Sequence, residues 1–260
     1  MDFAYSIAGF AVGFIVGMTG VGGGSLMTPI LVLGFGIKPA VAVGTDLLYA
    51  AITKSGGILV HNRKRTINWR IVCLLSLGSL PASVLSVFLL KYLNQAGINY
   101  DRLITSSLSI ALILTSLVLL FKEQLQILGR NERFDVVRKL HKQLQTPITV
   151  LAGITLGILV TLSSVGAGAL GAAILFFLYP RLQTIKIVGT DLAHAVPLTA
   201  VAGLGHMHLG TIDFSMLALL LLGSLPGIYI GSHIAVRLPE QYVRPALASM
   251  LFLIGVRLAV

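Results

Sequence analysis

Charged residues are scarce in this chain. Only 11% of its 260 residues are Asp, Glu, Lys or Arg, and nine of these are acidic, whereas soluble domains carry about 25% charged residues. Such a chain has too few polar side chains to cover a water-facing surface. Nearly uncharged stretches of about 20 residues are long enough to cross a hydrocarbon core of about 30 Å; they span residues 69–90, 103–121, 214–235 and 242–259. The composition therefore predicts a multi-pass integral membrane protein.

Other absences exclude further classes. The single cysteine, Cys73, lies in an apolar segment, so neither a disulfide framework nor a cysteine metal cluster is expected. A Walker-type phosphate loop and an HExxH motif are missing, which argues against an ATP-driven pump and predicts no cofactor. The N-terminus lacks the basic region of a cleavable signal peptide, so we expect the first helix to be retained. The net charge of +10 reflects Lys and Arg in short loops that orient the protein, and nucleic-acid binding is not expected.

The chain contains an internal duplication. Residues 8–26 and 152–170 match at 8 of 19 positions when offset by 144. At an offset of 145, the Val-Gly-Thr-Asp-Leu segment at 43–47 recurs at 188–192, His61 falls on His206, and Gly-Ser-Leu-Pro at 78–81 recurs at 223–226. Apolar composition alone does not produce such matches in one register, so the sequence predicts two structurally related units.

Each unit contains five helical pieces. The predicted fold is all-α and integral to the membrane, with a first repeat over residues 1–121, a cytoplasmic linker over 122–146 and a second repeat over 147–260. In each repeat, a broken pair of short helices precedes three spans. The pieces at 25–33 and 169–178 are too short to cross a bilayer at 1.5 Å per residue. The linker has apolar residues at helical spacing, which predicts a helix on the membrane surface.

Loop charges indicate how the repeats are oriented. Arg63, Lys64 and Arg65 follow the third piece of unit one, whereas the matching loop at 205–213 has no Lys or Arg. Because cytoplasmic loops carry the excess of Lys and Arg, residues 61–70 and 122–146 are predicted to be cytoplasmic and 205–213 external. This pattern favours inverted repeats with re-entrant helix pairs. Parallel repeats with four crossings per unit are the alternative.

Two glycine-rich helix breaks are the first candidate for a functional site. Glycine lets the backbone turn sharply and approach a ligand, and the helix that follows each break exposes unpaired N–H groups that favour anions. The alternative is close helix packing through small residues. The residues concerned are Thr19, Gly20, Gly22, Gly23, Gly24 and Ser25 in unit one, and Ser163, Ser164, Gly166 and Gly168 in unit two.

Four ionisable residues inside apolar segments complete the predicted substrate site. Asp46 and Asp191 occupy matching positions, and an intramembrane carboxylate suggests function; as an alternative, either caps a helix that restarts after the preceding glycine. Lys54, which Thr199 replaces in unit two, is interpreted as a counter-charge for an anion or as an ion-pair or snorkelling residue. His194 lies three residues after Asp191 on one helix face, so the two form a candidate proton-linked element.

The order and duplication of these motifs resemble the TauE/SafE family of membrane anion transporters. The resemblance covers residues 8–258 and rests on the Gly-X-Gly-Gly-Gly break, the Ala-Val-Gly-Thr-Asp-Leu segment and the Gly-Ser-Leu-Pro repeat. It implies transport of small sulfur-containing anions, such as sulfite or sulfoacetate, across a bacterial-type inner membrane. Ala167 and Ala169 replace Gly23 and Ser25 in the second break. This departure bears on whether the two halves contribute equally to the substrate site.

These features together favour a secondary transporter, acting as an exporter, with alternating access between two repeats and a proton link as one option. A passive anion channel is the alternative, and it would need a continuous polar path. An intramembrane enzyme using Asp191 and His194 is disfavoured, because no nucleophile or metal set accompanies the pair. The implied partners are a small sulfur oxyanion or sulfonate and the lipid bilayer, and the features are compatible with a homodimer.

Overall fold

The described chain is built from α-helices. A computed structural model describes residues 2–19, 24–121, 124, 135–234 and 240–259, and no β-strand occurs among them. In chain order, these residues form α1 Asp2–Thr19, α2 Gly24–Pro29, a π-helical turn Ile30–Gly34, α3 Pro39–Arg63, α4 Trp69–Gln95, α5 Asp101–Leu120, α6 Asp135–Ser163, α7 Ala169–Leu178, α8 Thr184–His208, α9 Phe214–Ile234 and α10 Glu240–Ala259. The predicted all-helical fold is confirmed.

Several of these helices are long and apolar enough to cross a membrane. In the described chain, five segments meet both conditions: α4, α5, Leu144–Ser163 within α6, α8 and α9. Their outward-facing side chains include large hydrophobic residues, such as Leu77, Leu85 and Leu222, that are about two-thirds exposed. Such surfaces suit lipid rather than water. The chain is therefore a multi-pass membrane protein.

The duplication in the sequence reappears as duplicated helix packing. Gly9 and Gly13 of α1 lie against the backbone of Leu220 and Ser224 of α9. In unit two, Gly153 and Gly157 of α6 lie against the backbone of Leu75 and Ser79 of α4, the matching residues of the other half. At all four glycines, a Cβ would overlap the opposing carbonyl oxygen. Backbone contact through small residues therefore joins each half to the other twice.

The third helices of the two halves, α3 and α8, pack side by side in antiparallel directions. Gly57 near the end of α3 contacts Leu192 near the start of α8, and Gly203 near the end of α8 contacts Leu48 near the start of α3. Matching helices that run antiparallel are related by a two-fold axis perpendicular to them. This geometry accords with inverted repeats, whose orientation across a membrane stays a prediction.

The two halves also exchange hydrogen bonds where one half's third helix meets the other's third loop. The hydroxyl of Thr190 accepts the N–H of Asn68 at 2.9 Å, and the hydroxyl of Thr45 accepts the N–H of Asp213 at 3.1 Å. Asn68 and Asp213 each precede the fourth helix of their own half. Thr45 and Thr190 thus satisfy N–H groups at the entrance of the opposite half's next helix.

The structure differs from the predicted boundaries at two places. Helix α6 runs unbroken from Asp135 to Ser163 with Pro147 inside it, so the predicted linker end at 146 falls within a helix. Residues 122–123 and 125–134 lie outside the described chain, and the linker's membrane-surface position stays a prediction. The short piece at 169–178 has the predicted bounds, whereas α2 ends at Pro29 and continues as a π-helical turn.

Candidate functional site

The two intramembrane carboxylates are buried inside continuous helices. Asp46 is fully buried in α3, and Asp191 is 4% exposed in α8. Both helices pass through the preceding glycine without a break, so the alternative that these residues cap a restarting helix is wrong. Burying an ionised carboxylate that does not cap a helix costs free energy. The groups around each carboxylate therefore indicate how its charge is compensated.

Asp46 lies between α2 of its own half and the helix break of the other half. The Thr28 hydroxyl donates to Asp46 Oδ2 at 2.5 Å, and Ser164 lies beside the same carboxylate. Asp46 Oδ1 and Ser164 Oγ are both buried without a hydrogen-bond partner. Tyr49, one turn further along α3, faces Asp46 as well, and its buried hydroxyl makes no hydrogen bond. The unpartnered oxygen of this carboxylate thus has two further unpartnered hydroxyls nearby, those of Ser164 and Tyr49.

Lys54 connects the two halves. Its ammonium donates to the carbonyl of Ala167 at 2.6 Å, a residue in the break between α6 and α7. It also interacts electrostatically with Asp191 and Asp46, and the side chain is only 7% exposed. The snorkelling interpretation is wrong, because the ammonium ends at a buried carbonyl.

The three charges form a row along the contact between α3 and α8. Because Leu192 packs against Gly57, the antiparallel pairing puts Asp191 level with about residue 58. Asp46 is then about 12 residues away, or roughly 18 Å at 1.5 Å per residue. Lys54 lies in the interval, eight residues after Asp46 and nearer the level of Asp191. The carboxylates are therefore too far apart to form a pair, and each interacts with the same lysine.

Asp191 has a different environment from Asp46. Its carboxylate lies against Gly171 of α7, where a Cβ would overlap Oδ1, and Oδ1 has no hydrogen-bond partner. His194 does not share this site, because its Nε2 is hydrogen-bonded to Ser79 Oγ of α4 at 2.8 Å. The structure therefore joins Asp191 to Lys54 and turns His194 towards α4. A proton link through Asp191 and His194 stays a prediction.

The break between α6 and α7 has the irregular backbone that the sequence predicts. Ser164, Gly166 and Gly168 have φ angles of 58°, 113° and 139°, in the region that favours glycine. Ser163 uses its hydroxyl locally, donating to Leu159 O at 2.6 Å and accepting from Val165 N at 3.1 Å. Ser163 thus supports the break, while Ser164 faces the charged row.

The corresponding break of unit one is only partly within the described chain. Gly20, Gly22 and Gly23 lie outside it, as do the side chains of Thr19 and Ser25, and only the backbone of Gly24 is described, as the first residue of α2. Their assignment to a substrate site stays a prediction. Among the described residues, no group of three or more His, Cys, Asp or Glu side chains is placed to hold a metal ion.

His61 and His206 secure the loops that follow the third helices. His61 Nδ1 is hydrogen-bonded to Thr66 Oγ1 at 2.8 Å, and His206 Nδ1 to Thr211 Oγ1 at 2.9 Å. His206 is fully buried and also contacts the carbonyl of Thr161 at 3.0 Å. The matching bonds fix the loops that cross to the other half. Sequence reasoning missed this role, although the His-X4-Thr spacing occurs in both units.

The fold and this buried row define a multi-pass helical membrane transporter. The family model described as "Sulfite exporter TauE/SafE" matches residues 5–258, and the chain belongs to this family. The resemblance noted in the sequence is thereby confirmed.

Curated relatives of full length accompany the family match. The chain is 35% identical to the "Probable membrane transporter protein YjnA" of Bacillus subtilis, over 99% of this chain and all of the relative. It is 28% identical to YdhB of the same organism, covering 94% and 97% of the two chains. MJ0441 of Methanocaldococcus jannaschii is 27% identical, over 96% and 92%. No solved structure matches the chain significantly.

Proposed function

We propose that this protein is a secondary transporter that exports small sulfur-containing anions, such as sulfite or sulfoacetate, across a bacterial-type inner membrane. The observation that carries the proposal is the bond from Lys54 of α3 to Ala167. It brings a buried cation from one half to the irregular backbone of the other half. Transporters built from two repeats bind substrate between the repeats at such broken helices.

The chemistry around Lys54 suits a small oxyanion. Lys54 supplies a point charge, the Ser164 hydroxyl is unpartnered, and α7 begins directly after Gly168 with its N–H groups directed into the break. A compact anion would replace the carbonyl of Ala167 as the partner of the ammonium. The glycines of the break leave space for its approach.

The packing between the two halves supports alternating access, in which one half moves against the other. The halves meet through glycine-mediated backbone contacts and through the antiparallel α3–α8 pair. Two equivalent closed arrangements are natural for such a duplicated interface, one for each side of the membrane. The inverted orientation of the repeats is part of this proposal.

Transport by purified protein in lipid vesicles tests the function. Vesicles are offered radiolabelled sulfite, sulfoacetate, thiosulfate and sulfate, each with and without a pH gradient. We expect saturable uptake of at least one sulfur anion and acceleration by unlabelled anion preloaded inside. A passive channel would give uptake without that acceleration, and absence of uptake for the whole panel would contradict the proposal. Comparing inside-out and right-side-out vesicles tests the export direction.

A further inference from the structure

The buried row carries an unbalanced charge. Among the described residues, the buried Asp, Glu, Lys and Arg side chains are Asp46, Lys54 and Asp191. A single ammonium compensates a single carboxylate, so the row has a net charge of −1 if all three groups are ionised. An uncompensated carboxylate in an apolar interior costs several kcal/mol. The row therefore requires one further positive charge.

The elements packed around the row supply no second cation in the described chain. Asp46 faces Thr28 from α2, Ser164 from the break and Tyr49 from α3, all of them neutral hydroxyls. Asp191 faces Lys54 from α3 and the backbone of Gly171 from α7.

The remaining neighbours are engaged elsewhere. Helix α4 contributes Ser79, which is bonded to His194; α6 contributes the carbonyl of Thr161, which is bonded to His206. Helix α9 contributes Ser224, which faces Tyr49. None of these contacts adds a positive charge beside a carboxylate.

Each carboxylate retains one oxygen without a partner. Oδ1 of Asp46 and Oδ1 of Asp191 are buried and make no hydrogen bond. A proton needs only one such oxygen and then forms a neutral carboxylic acid. A metal ion would need several converging ligands, and no three His, Cys, Asp or Glu side chains converge among the described residues. We therefore assign the unpartnered oxygens to a proton, and Na⁺ is tested as the alternative below.

We propose that Asp46 and Asp191 are alternate binding sites for one proton and that Lys54 compensates whichever carboxylate is ionised. The inference rests on the proposed function and names the residues that couple the anion to a proton. The two carboxylates belong to different halves and lie at different depths along the α3–α8 pair. Each therefore lies towards a different end of the α3–α8 pair.

Movement of the proton along the row needs no other reactant. When the Lys54 side chain leaves the carbonyl of Ala167 and moves to the ionised carboxylate, it gives that carboxylate a proton, so that an N–H bond breaks and an O–H bond forms. It then takes a proton from the carboxylic acid at the other end, which restores the ammonium and leaves that carboxylate ionised. The row ends with one proton moved and no change in total charge. An anion that travels with this proton crosses with its net charge reduced by one.

Infrared spectroscopy of the purified protein tests the proton site without any substrate. The C=O band of a protonated carboxylic acid, identified by its shift in deuterated water, is titrated from neutral to alkaline pH. We expect one such group per wild-type protein at neutral pH. Asp46→Asn and Asp191→Asn should each lose the band, because Lys54 then compensates the remaining carboxylate. Lys54→Gln should double it, because neither carboxylate retains a cation.

Asp101→Asn is the matched control, since Asp101 lies in the first turn of α5 and away from the row; its band should equal that of the wild type. Variants are compared after size-exclusion chromatography establishes that they are folded. Absence of the band from wild-type protein at neutral pH would overturn the proposal, as would equal bands in wild type and Lys54→Gln. A band that Na⁺ removes at constant pH would also overturn it, because a metal ion would then be the ligand.

Transport of radiolabelled sulfoacetate separates this inference from the proposed function. In wild-type vesicles, an imposed pH gradient should drive accumulation. Asp46→Asn should lose at least about tenfold of that accumulation, whereas the control Asp101→Asn should keep it. Accumulation at the wild-type level in folded Asp46→Asn protein would overturn the proton site. If the wild type transports no anion but the infrared pattern is as expected, the substrate assignment is wrong and the proton site stands.

Discussion

The hydrogen bond from Thr28 to Asp46 offers a sharp test of the buried row. Thr28 is fully buried and donates to Asp46 Oδ2 at 2.5 Å. Thr28→Val keeps the shape of the side chain and removes the donor. Unit two has Ala172 at the matching position, so the change affects one carboxylate of the row.

The size of the effect follows from what the bond stabilises. A hydrogen bond to a charged group contributes about 1.5–3 kcal/mol, and it stabilises the ionised form of Asp46. Its loss favours the protonated form, so Asp46 holds its proton to a higher pH. At about 1.4 kcal/mol per pH unit, the midpoint of the carboxylic-acid band should move upwards by roughly 1–2 units.

Two readouts with one control measure this shift. The infrared titration gives the midpoint directly, and the pH dependence of sulfoacetate uptake should move in the same direction. Thr199→Val is the control, because Thr199 is equally buried but donates to Ala195 O of its own helix at 2.9 Å. An unchanged midpoint in Thr28→Val, or a downward shift, would refute the reasoning about Asp46.

Three further predictions address topology and the site. In a Cys73→Ser background, cysteines replacing Lys64 and His208 should be labelled from opposite sides of the membrane, because only the first loop carries basic residues; labelling of both from one side contradicts inverted repeats. Gly166→Leu should abolish anion uptake in folded protein, since a side chain at φ 113° is strained by about 1–3 kcal/mol and enters the break. Normal uptake would show that the break serves helix packing and not substrate binding. Lys54→Gln should weaken anion affinity at least about tenfold without eliminating binding, because backbone donors remain; unchanged affinity would make Lys54 a structural residue.

Much of the fold followed from local and repeated features of the sequence. The offset of 144 between residues 8–26 and 152–170 predicts which residues are equivalent, and the structure shows equivalent contacts at Gly9 and Gly153. The bounds of α7 also agree, because an apolar run bounded by glycine and by Tyr179 and Pro180 defines a short helix without tertiary information.

Side-chain partners on other helices could not be predicted in the same way. Thr28 and Ser79 are ordinary polar residues in apolar segments, and nothing local indicates that they contact Asp46 and His194. The alternative that Asp191 caps a helix was wrong for a related reason. Gly-Thr-Asp is a good capping sequence in isolation, but packing of α8 against α3 keeps the helix continuous.

Residues that are duplicated between the units and residues that are not have different physical roles. The contacts that hold the halves together occur twice, as in the bonds that Thr190 accepts from Asn68 and Thr45 accepts from Asp213. Both copies are needed because each half packs against the other and bonds to the loop before its fourth helix. Residues beside the buried carboxylates differ, with Thr199 where unit one has Lys54 and His194 where it has Tyr49.

This asymmetry is what a single-proton site requires. A second lysine at position 199 would give two ammonium groups for two carboxylates, and the row would be neutral without a proton. A row with no lysine would hold a proton on each carboxylate and would lack a cation for the anion. One lysine for two carboxylates leaves one carboxylate to hold a proton, and Lys54 lies in the interval between them and interacts electrostatically with both. Thr199→Lys should therefore remove the carboxylic-acid band at neutral pH and uncouple anion uptake from the pH gradient. A band of wild-type intensity in folded Thr199→Lys protein would show that charge balance does not determine protonation of the row.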